Sequence, residues 1–386
     1  MWYEWMEAQH GLLQSLGEWS MFGCRWADRL FEPPAFGISS ISVGNRSIPV
    51  VESVVDCTPF CQLRHFARQG LGANRRAGGP TPSIFLCAPL AGHHAVILRE
   101  MVETLLQDAD VYITDLADAS DVPLAAGPFG LDDYTLVLES FLSKIGSAHL
   151  HVIAICQATV PALAASALLA SAGKPQPLSL TLMGGPIDSR LHPTTLDRLA
   201  QTHSIDWFRN TAILTVAPRY PGSGRRVYPG SVQHATFVAA QPRRQLALQL
   251  GYWSSAVSAD KEAMTQSLRS LHEYSAVLDM TEAFFLDMIR VVFQEQLLAR
   301  GQWKVGERPV RPQSLTSTAL LTVEGRRDDI TGEGQTHAAH RLCNAISDER
   351  RHQLTIDDCD HYDLFSGLKW QHVIHPATTQ FWRSLA

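Results

Sequence analysis

The pattern of apolar and polar positions changes character three times along the chain. In residues 1 to about 31, Trp2, Trp5, Met6, Leu12, Leu13, Leu16 and Trp19 fall at roughly helical spacing and predict an amphipathic helix. It is stopped by Pro33-Pro34, since proline cannot continue a helix. Such a helix either packs on the main domain or offers its Trp-rich face to an apolar surface. From Ile38 to Val54 the run is strand-like, and a Gly-rich connector follows over 70–82. Strands are then expected at 83–87, 110–115, 149–155 and 178–183, with helices at 95–106, 131–145 and 162–172 between them. Strand and helix alternating at these lengths imply a mostly parallel sheet with helices on both faces. Over 186–311 the alternation gives way to helices and loops, with Trp207-Phe208, Tyr252-Trp253 and Phe284-Phe285, broken by a Pro/Gly-rich patch over 218–230. This reads as an inserted helical cap, of the kind that excludes water from an active site. The sheet resumes at 315–323, and a last strand is expected near 352–356. The expected organisation is an N-terminal helix (1–31), a core built from 32–185 and 312–386, and a cap (186–311).

Composition narrows the function. A chain of 386 residues that is 45% apolar can bury a full core without staples or metals. A net charge of −6 and an isoelectric point near 6.2 give no footprint for nucleic acid. The basic pairs Arg225-Arg226 and Arg243-Arg244 are isolated and read as structural or surface features. Seven cysteines at irregular spacing make no disulfide framework, which points to a reducing, cytoplasmic compartment. Cys57 and Cys61 lack the further ligands of a zinc site. The 16 histidines, including His337, His340 and His352, form no closed ligand set, so no metal is expected. The N-terminus has neither the basic start nor the apolar core of a signal peptide. The charge-free stretch over 152–173 is long enough for a membrane span. Gln157, Thr159, Pro161 and its serines argue instead for a buried strand and helix, and no transmembrane segment is expected.

One junction carries candidate chemistry. A β-branched run ends at Cys156 and an Ala-rich helix begins at once. Strand, sharp turn and helix with a nucleophilic side chain at the apex form a nucleophile elbow. The small residues usually found two before and two after the apex are Ala154 and Ala158, giving A-x-C-x-A. A buried cysteine that merely fills core space is the competing reading. Downstream, the strand at 318–325 leads into Asp328-Asp329, and His361 follows in a loop before the C-terminal helix. The order nucleophile, acid, histidine is that of α/β-hydrolases.

The chain resembles the cysteine-nucleophile type of intracellular poly(3-hydroxybutyrate) depolymerase, a family similar to the polyhydroxyalkanoate synthases. The resemblance is carried by Ala88-Pro89-Leu90-Ala91-Gly92-His93, Asp121-Val122-Pro123-Leu124, Phe129-Gly130-Leu131-Asp132-Asp133-Tyr134 and Cys156-Gln157-Ala158-Thr159-Val160-Pro161. It continues through Met183-Gly184-Gly185-Pro186-Ile187-Asp188, Gly224-Arg225-Arg226-Val227-Tyr228-Pro229-Gly230, Val291-Val292-Phe293-Gln294-Glu295, Thr322-Val323-Glu324-Gly325, Asp328-Asp329-Ile330 and His361-Tyr362. Two positions depart from it: Ala158 stands where the family usually has proline, and Asp360 where glycine usually precedes the histidine. The resemblance implies an α/β-hydrolase fold with Cys156 as nucleophile, His361 as general base and acid, and Asp328, with Asp329 as its rival, as the orienting carboxylate. The backbone N–H of Gln157 and that of Leu90 or Ala91 would receive the oxyanion. His93 and His94 are further candidates to line the site. The expected substrate is a poly(3-hydroxybutyrate) granule or its oligomers in the cytoplasm, released as 3-hydroxybutyrate monomers or oligomers. No cofactor is expected, with coenzyme A the alternative to water as acyl acceptor. A synthase-like acyltransferase and a non-catalytic granule-binding protein are the rival functions.

Overall fold

The computed structural model describes residues 33–70, 82–146, 149–240 and 260–385, together with 246, 250–254, 257 and 258. The helix expected over 1–31 lies outside the described residues. Nine strands form the main sheet: β1 (Ser40–Val43), β2 (Arg46–Cys57), β3 (Cys61–Arg68), β4 (Ser83–Cys87), β5 (Asp110–Leu116), β6 (Leu150–Ile155), β7 (Ser179–Met183), and two from the C-terminal part of the chain, Ala319–Gly325 and Arg351–Ile356. Their order is β1-β2-β3-β5-β4-β6-β7, then Ala319–Gly325 and Arg351–Ile356. From β5 to the last strand every pairing is parallel. With helices packed on the sheet and a nucleophile-elbow junction at its centre, this is the α/β-hydrolase fold.

The near edge differs from the sequence expectation. The Ile38–Val54 run resolves into two strands with a turn at Gly44-Asn45, and β3 is an additional strand. β1, β2, β3 and β5 pair antiparallel, because the connections from β1 to β2 and from β2 to β3 are too short for a crossover. Cys57 and Cys61 flank the second of these turns, which explains their spacing without a metal. The helix expected over 95–106 opens with a 3-10 turn, Ala95–Leu98, before becoming α-helical over Arg99–Leu105. β6 is buried at every position, and the following helix Thr159–Ser171 is buried over its first eleven residues. That burial accounts for the charge-free stretch over 152–173. Among the described residues no helix is long and apolar enough to cross a membrane.

Residues 186–311 hold the helices Thr195–Thr202, Ile205–Ala212, Gly230–Ala240, Lys261–Ser275 and Glu282–Asp287. They also hold two small sheets, one of β8 (Leu214–Thr215), β9 (Arg226–Tyr228) and β10 (Met280–Thr281), the other of β11 (Lys304–Val305) and β12 (Arg308–Pro309). The two remaining main-sheet strands are thus β13 (Ala319–Gly325) and β14 (Arg351–Ile356). Several polar anchors tie this insertion to the core. Arg308 forms a two-pronged pair with buried Glu139, at 3.0 and 2.6 Å. Trp303 donates its indole N–H to Asp132 at 3.1 Å. Arg225 and Arg226, alike in sequence, divide the work. Arg225 is buried and donates to the carbonyls of Val122, Pro123 and Gly127, whereas Arg226 pairs with Glu282 at the surface. Burial lowers the Arg225 pKa, which three carbonyl acceptors help the guanidinium to bear. His337 and His340 both hydrogen-bond to Thr322 Oγ1, at 2.7 and 2.8 Å, as core histidines with polar partners do.

Candidate active site

Cys156 sits where β6 hands over to a helical turn, Cys156–Ala158, and then to the helix Thr159–Ser171. Its backbone is left-handed, with φ at 55°. A non-glycine residue held there is strained, and strain of this kind is kept only where the surroundings impose it. The imposing parts are visible. Ala154 and Ala158 are fully buried, and Thr159 Oγ1 donates to the Cys156 carbonyl at 2.8 Å. Gly185 leaves room for that threonine, since a Cβ there would lie 1.8 Å from its hydroxyl. Ala158 has φ at −65°, a value at which proline would also fit, so this departure from the family pattern leaves the backbone path unchanged.

His361 is buried, and its Nδ1 lies 2.7 Å from Asp328 Oδ2. The Cys156 thiol lies near enough to the same imidazole to raise its pKa. Burial alone would push the imidazolium pKa down, but Asp328 and Cys156 outweigh it and hold His361 well above the ordinary histidine range. Asp328 Oδ1 meanwhile accepts the N–H groups of Ile330 and Thr331, at 2.9 and 2.8 Å. Of the two neighbouring aspartates, Asp328 is therefore the one against the histidine, and Asp329 is exposed. Asp360, the second departure, turns its carboxylate to the N–H groups of Tyr362 and Asp363, both at 3.0 Å, at the start of the 3-10 turn Tyr362–Leu364. Tyr362 and Phe365 present edge-on contacts to the imidazole, with ring centroids 5.9 and 6.0 Å away.

The backbone N–H groups expected to donate to an oxyanion lie at the same end of the sheet. β4 and β6 are parallel neighbours, with Cys87 opposite Ala154, so the loop after β4 emerges beside Cys156. Leu90 is buried and Ala91 half-buried in that loop. The Gln157 N–H belongs to the first turn after the elbow, where backbone donors lack intrahelical acceptors. The loop is zipped to residues 276–278 of the insertion. Leu278 donates to the Gly92 carbonyl at 2.8 Å, His94 donates to the Ala276 carbonyl at 3.0 Å, and His93 bridges Val277. Gly92 has φ at 94°, and a Cβ on it would overlap the Gln233 side chain at 1.7 Å. His93 is buried, and burial, aided by His234 and His94, pushes its pKa down to about 3, so it is neutral at physiological pH. Burial also lowers His94.

Sequence reasoning missed the parts that hold these groups in place. Glu324 is buried and its carboxylate accepts the N–H groups of Gly334, Thr336 and His337, at 2.7, 2.7 and 2.8 Å, which secures the loop carrying Asp328. Gly325 lets the loop to His361 cross closely, since a Cβ there would lie 2.5 Å from the Cys359 carbonyl. Gly184, with φ at 54°, packs under the His361 ring and Leu364. The only sequence signal for these roles was the pair of short motifs Val323-Glu324-Gly325 and Met183-Gly184-Gly185. Six described cysteines are free, and burial raises the thiol pKa of Cys61, Cys87, Cys343 and Cys359. Among the described residues no three His, Cys, Asp or Glu side chains converge as metal ligands would.

The family described as PHB de-polymerase C-terminus matches residues 184–386. Among curated proteins none matches the chain in sequence. Solved structures similar to it include a malate-bound thermophilic esterase from Thermogutta terrifontis, at 13% identity over 87% of this chain and 98% of that one, with a TM-score of 0.46. A monoacylglycerol lipase from Paleococcus ferrophilus matches at 13% identity over 79% and 96%, with a TM-score of 0.47. The 2-hydroxy-6-oxo-6-phenylhexa-2,4-dienoate hydrolase of Rhodococcus sp. strain RHA1 matches at 12% over 87% and 99%, with a TM-score of 0.43.

Proposed function

The chain belongs to the PHB de-polymerase family and is a hydrolase, and on that premise we propose that it cleaves poly(3-hydroxybutyrate) inside the cell through an acyl-cysteine intermediate. The observation that supports the reading is the His361–Asp328 hydrogen bond at 2.7 Å, with Cys156 close enough to the same imidazole to raise its pKa. Asp328 fixes the imidazole through Nδ1, leaving Nε2 to serve the thiol and stabilising the imidazolium. With the proton on His361, the Cys156 sulfur attacks the ester carbonyl carbon and a C–S bond forms. The carbonyl oxygen takes the negative charge beside the Gln157 N–H and that of Leu90 or Ala91. The tetrahedral species collapses, the ester C–O bond breaks, and His361 gives its proton to the leaving polymer alkoxide. Water then enters, His361 takes one of its protons, and its oxygen attacks the thioester carbonyl. Breaking the C–S bond frees a hydroxyacid end and restores the site.

The test is release of soluble 3-hydroxybutyrate or its oligomers from amorphous granules by the purified protein, with and without coenzyme A. Release without coenzyme A supports hydrolysis with water as acceptor. Release only with coenzyme A transfers the reading to an acyltransferase, and no release in either case refutes it.

A further inference from the structure

The loop that begins at Asp328 is seated, at its far end, on two buried groups whose hydrogen bonds do not balance if both are in their ordinary states. Asp197 lies in the first turn of the helix Thr195–Thr202, and Gln335 lies seven residues after Asp328; they are 1% and 0% exposed. Gln335 Nε2 donates to Asp197 Oδ2 at 2.7 Å and to the Leu191 carbonyl at 3.0 Å. The same Oδ2 accepts the Thr194 N–H at 2.7 Å, and the Thr194 hydroxyl lies 3.1 Å from it. Three donors thus crowd one carboxyl oxygen. The other, Oδ1, is buried with no hydrogen-bond partner among the described residues, and so is Gln335 Oε1.

An ionised carboxylate spreads its charge over both oxygens, and burying one of them without a donor is costly. Both orphans are acceptors, and their groups are already joined through the neighbouring atoms. Flipping the Gln335 amide brings no relief, since it would turn Oε1 towards Oδ2 and the Leu191 carbonyl, two further acceptors. One proton on Oδ1 provides the missing donor. Acid and amide then meet as a pair, Nε2–H to Oδ2 and Oδ1–H to Oε1. The surroundings favour this neutral form. Burial raises the Asp197 pKa against the pull of Thr194, Gln335 and Arg198. Arg198 is on the same helix and exposed. On the facing segments Asp188 pairs with Arg190 and Arg341, His192 turns its Nδ1 to the Glu333 carbonyl, and Glu333 pairs with Arg326.

We propose that Asp197 holds a proton at neutral pH and, as a neutral acid bonded to Gln335, is a positioning residue for the loop that aims Asp328 at His361, an inference that rests on the triad roles given above. The path between them is short. The Gln335 N–H closes a turn on the Gly332 carbonyl at 3.1 Å, and a Cβ on Gly332 would lie 2.0 Å from the His192 carbonyl, so the loop fits closely against the segment before the helix. Thr331 and Ile330, the next residues back, give their N–H groups to Asp328 Oδ1. The seat at Gln335 therefore fixes the groups that orient the Asp328 carboxylate.

Asp197→Asn is the deciding variant, because its amide reproduces the protonated carboxyl: the N–H faces Gln335 Oε1 and the oxygen keeps the other donors. Thermal denaturation of the full-length wild type and variant is followed from pH 4 to 9. A raised carboxyl pKa contributes stability that is complete below the unfolded value and is lost as pH rises through the folded one. The variant should therefore match or exceed the wild-type Tm, with an advantage that grows by about 2 °C or more as pH rises. Asp279 is present in both proteins and cancels. A variant less stable than the wild type across this range overturns the proposal, since an ionised Asp197, alone or bridged by water, requires that result. Asp197→Ala should lower kcat on p-nitrophenyl butyrate about ten-fold with KM little changed, as Asp328 shifts from its partner. Its His361 resonance should titrate at lower pH, and Asp197→Asn should restore both readouts. If the alanine protein does not fold, Gln335→Met removes the same pairing and carries the same expectations. A lowered Tm with kcat and the His361 titration unmoved gives Asp197 a structural role alone and overturns the positioning role. Failure of the wild type to release hydroxyacid from granules leaves the Tm and His361 readouts standing and refutes the polymer reading instead.

Discussion

The end of β6 at Cys156 and the inserted segment over 276–278 both border the loop after β4, the first through β4 in the sheet and the second from outside it. The sheet side is held by burial. β6 and the helix after it are enclosed, and the elbow's left-handed backbone is fixed by Thr159, Gly185 and two alanines. The cap side is held by polar contacts, namely the backbone bonds to Gly92 and His94 and a carboxylate arrangement just beyond them. There the Asp279 N–H donates to Asp118 at 3.2 Å, while its own carboxylate accepts the Gly230 N–H at 2.9 Å. Burial, with Asp118 nearby and against the help of Gly230, pushes the Asp279 carboxyl up to about 7. Apolar enclosure changes little with pH, whereas a buried carboxyl with a shifted pKa makes its attachment pH-dependent. The Cys156 side of the site is thus rigid by packing, and the side against the insertion is adjustable by charge.

The largest effect expected from this comparison falls on the rigid side. Cys156→Ala should lower hydrolysis by about 10³-fold or more, to what positioning and the oxyanion donors alone provide, with Tm little changed. Activity equal to wild type would move the nucleophile elsewhere. Asp328→Asn should cost about 10³-fold in kcat, because the amide cannot hold the imidazole tautomer or support its positive charge. Its His361 resonance, followed by NMR, should titrate at lower pH than in the wild type, and an unmoved resonance would remove Asp328 from the site's electrostatics.

Gly92→Ala tests the junction itself. The new methyl meets Gln233 and a φ of 94°, so activity should fall about 10- to 100-fold as the loop is displaced. Gly92→Ala combined with Gln233→Ala relieves the overlap but not the backbone strain, and should recover part of the loss. No recovery would assign the whole effect to backbone conformation.

The smallest effect belongs to the adjustable side. A carboxyl raised from 3.8 to about 7 stabilises the fold most below the lower value, and this contribution is lost as pH rises towards 7. Asp279→Asn keeps an acceptor for Gly230 without the charge. Between pH 5 and 8 the wild type should lose about 2 kcal/mol that the variant does not, read as converging denaturation midpoints at pH 5 and separated ones at pH 8. Parallel pH profiles for the two proteins would show that the carboxyl pair does not govern the cap.

The same contrast explains what could be read from the sequence. The elbow is legible because strand, turn and helix are contiguous and their periodicities differ. Ser83–Cys87 and Leu131–Ile145 carry equally clean patterns and form as expected. β3 was overlooked although Cys61-Gln62-Leu63-Arg64-His65-Phe66 alternates, because its mixed polar face resembles a loop. Glu324 was marked only by its place in a short motif, and Gln233 and Asp279 had no local signal at all. Each acts on a backbone group far along the chain or across the fold, and such partnerships exist only once the sheet has brought the segments together.

The central claim is that Cys156 carries the acyl group during turnover. Rapid quenching of the enzyme with a soluble 3-hydroxybutyrate oligomer, followed by intact-mass and peptide analysis, tests this directly. The account predicts a hydroxybutyryl thioester on the peptide containing Cys156, absent from Cys156→Ala. A hydroxybutyryl adduct on any other residue, or product release by the Cys156→Ala protein at the wild-type rate, would contradict it.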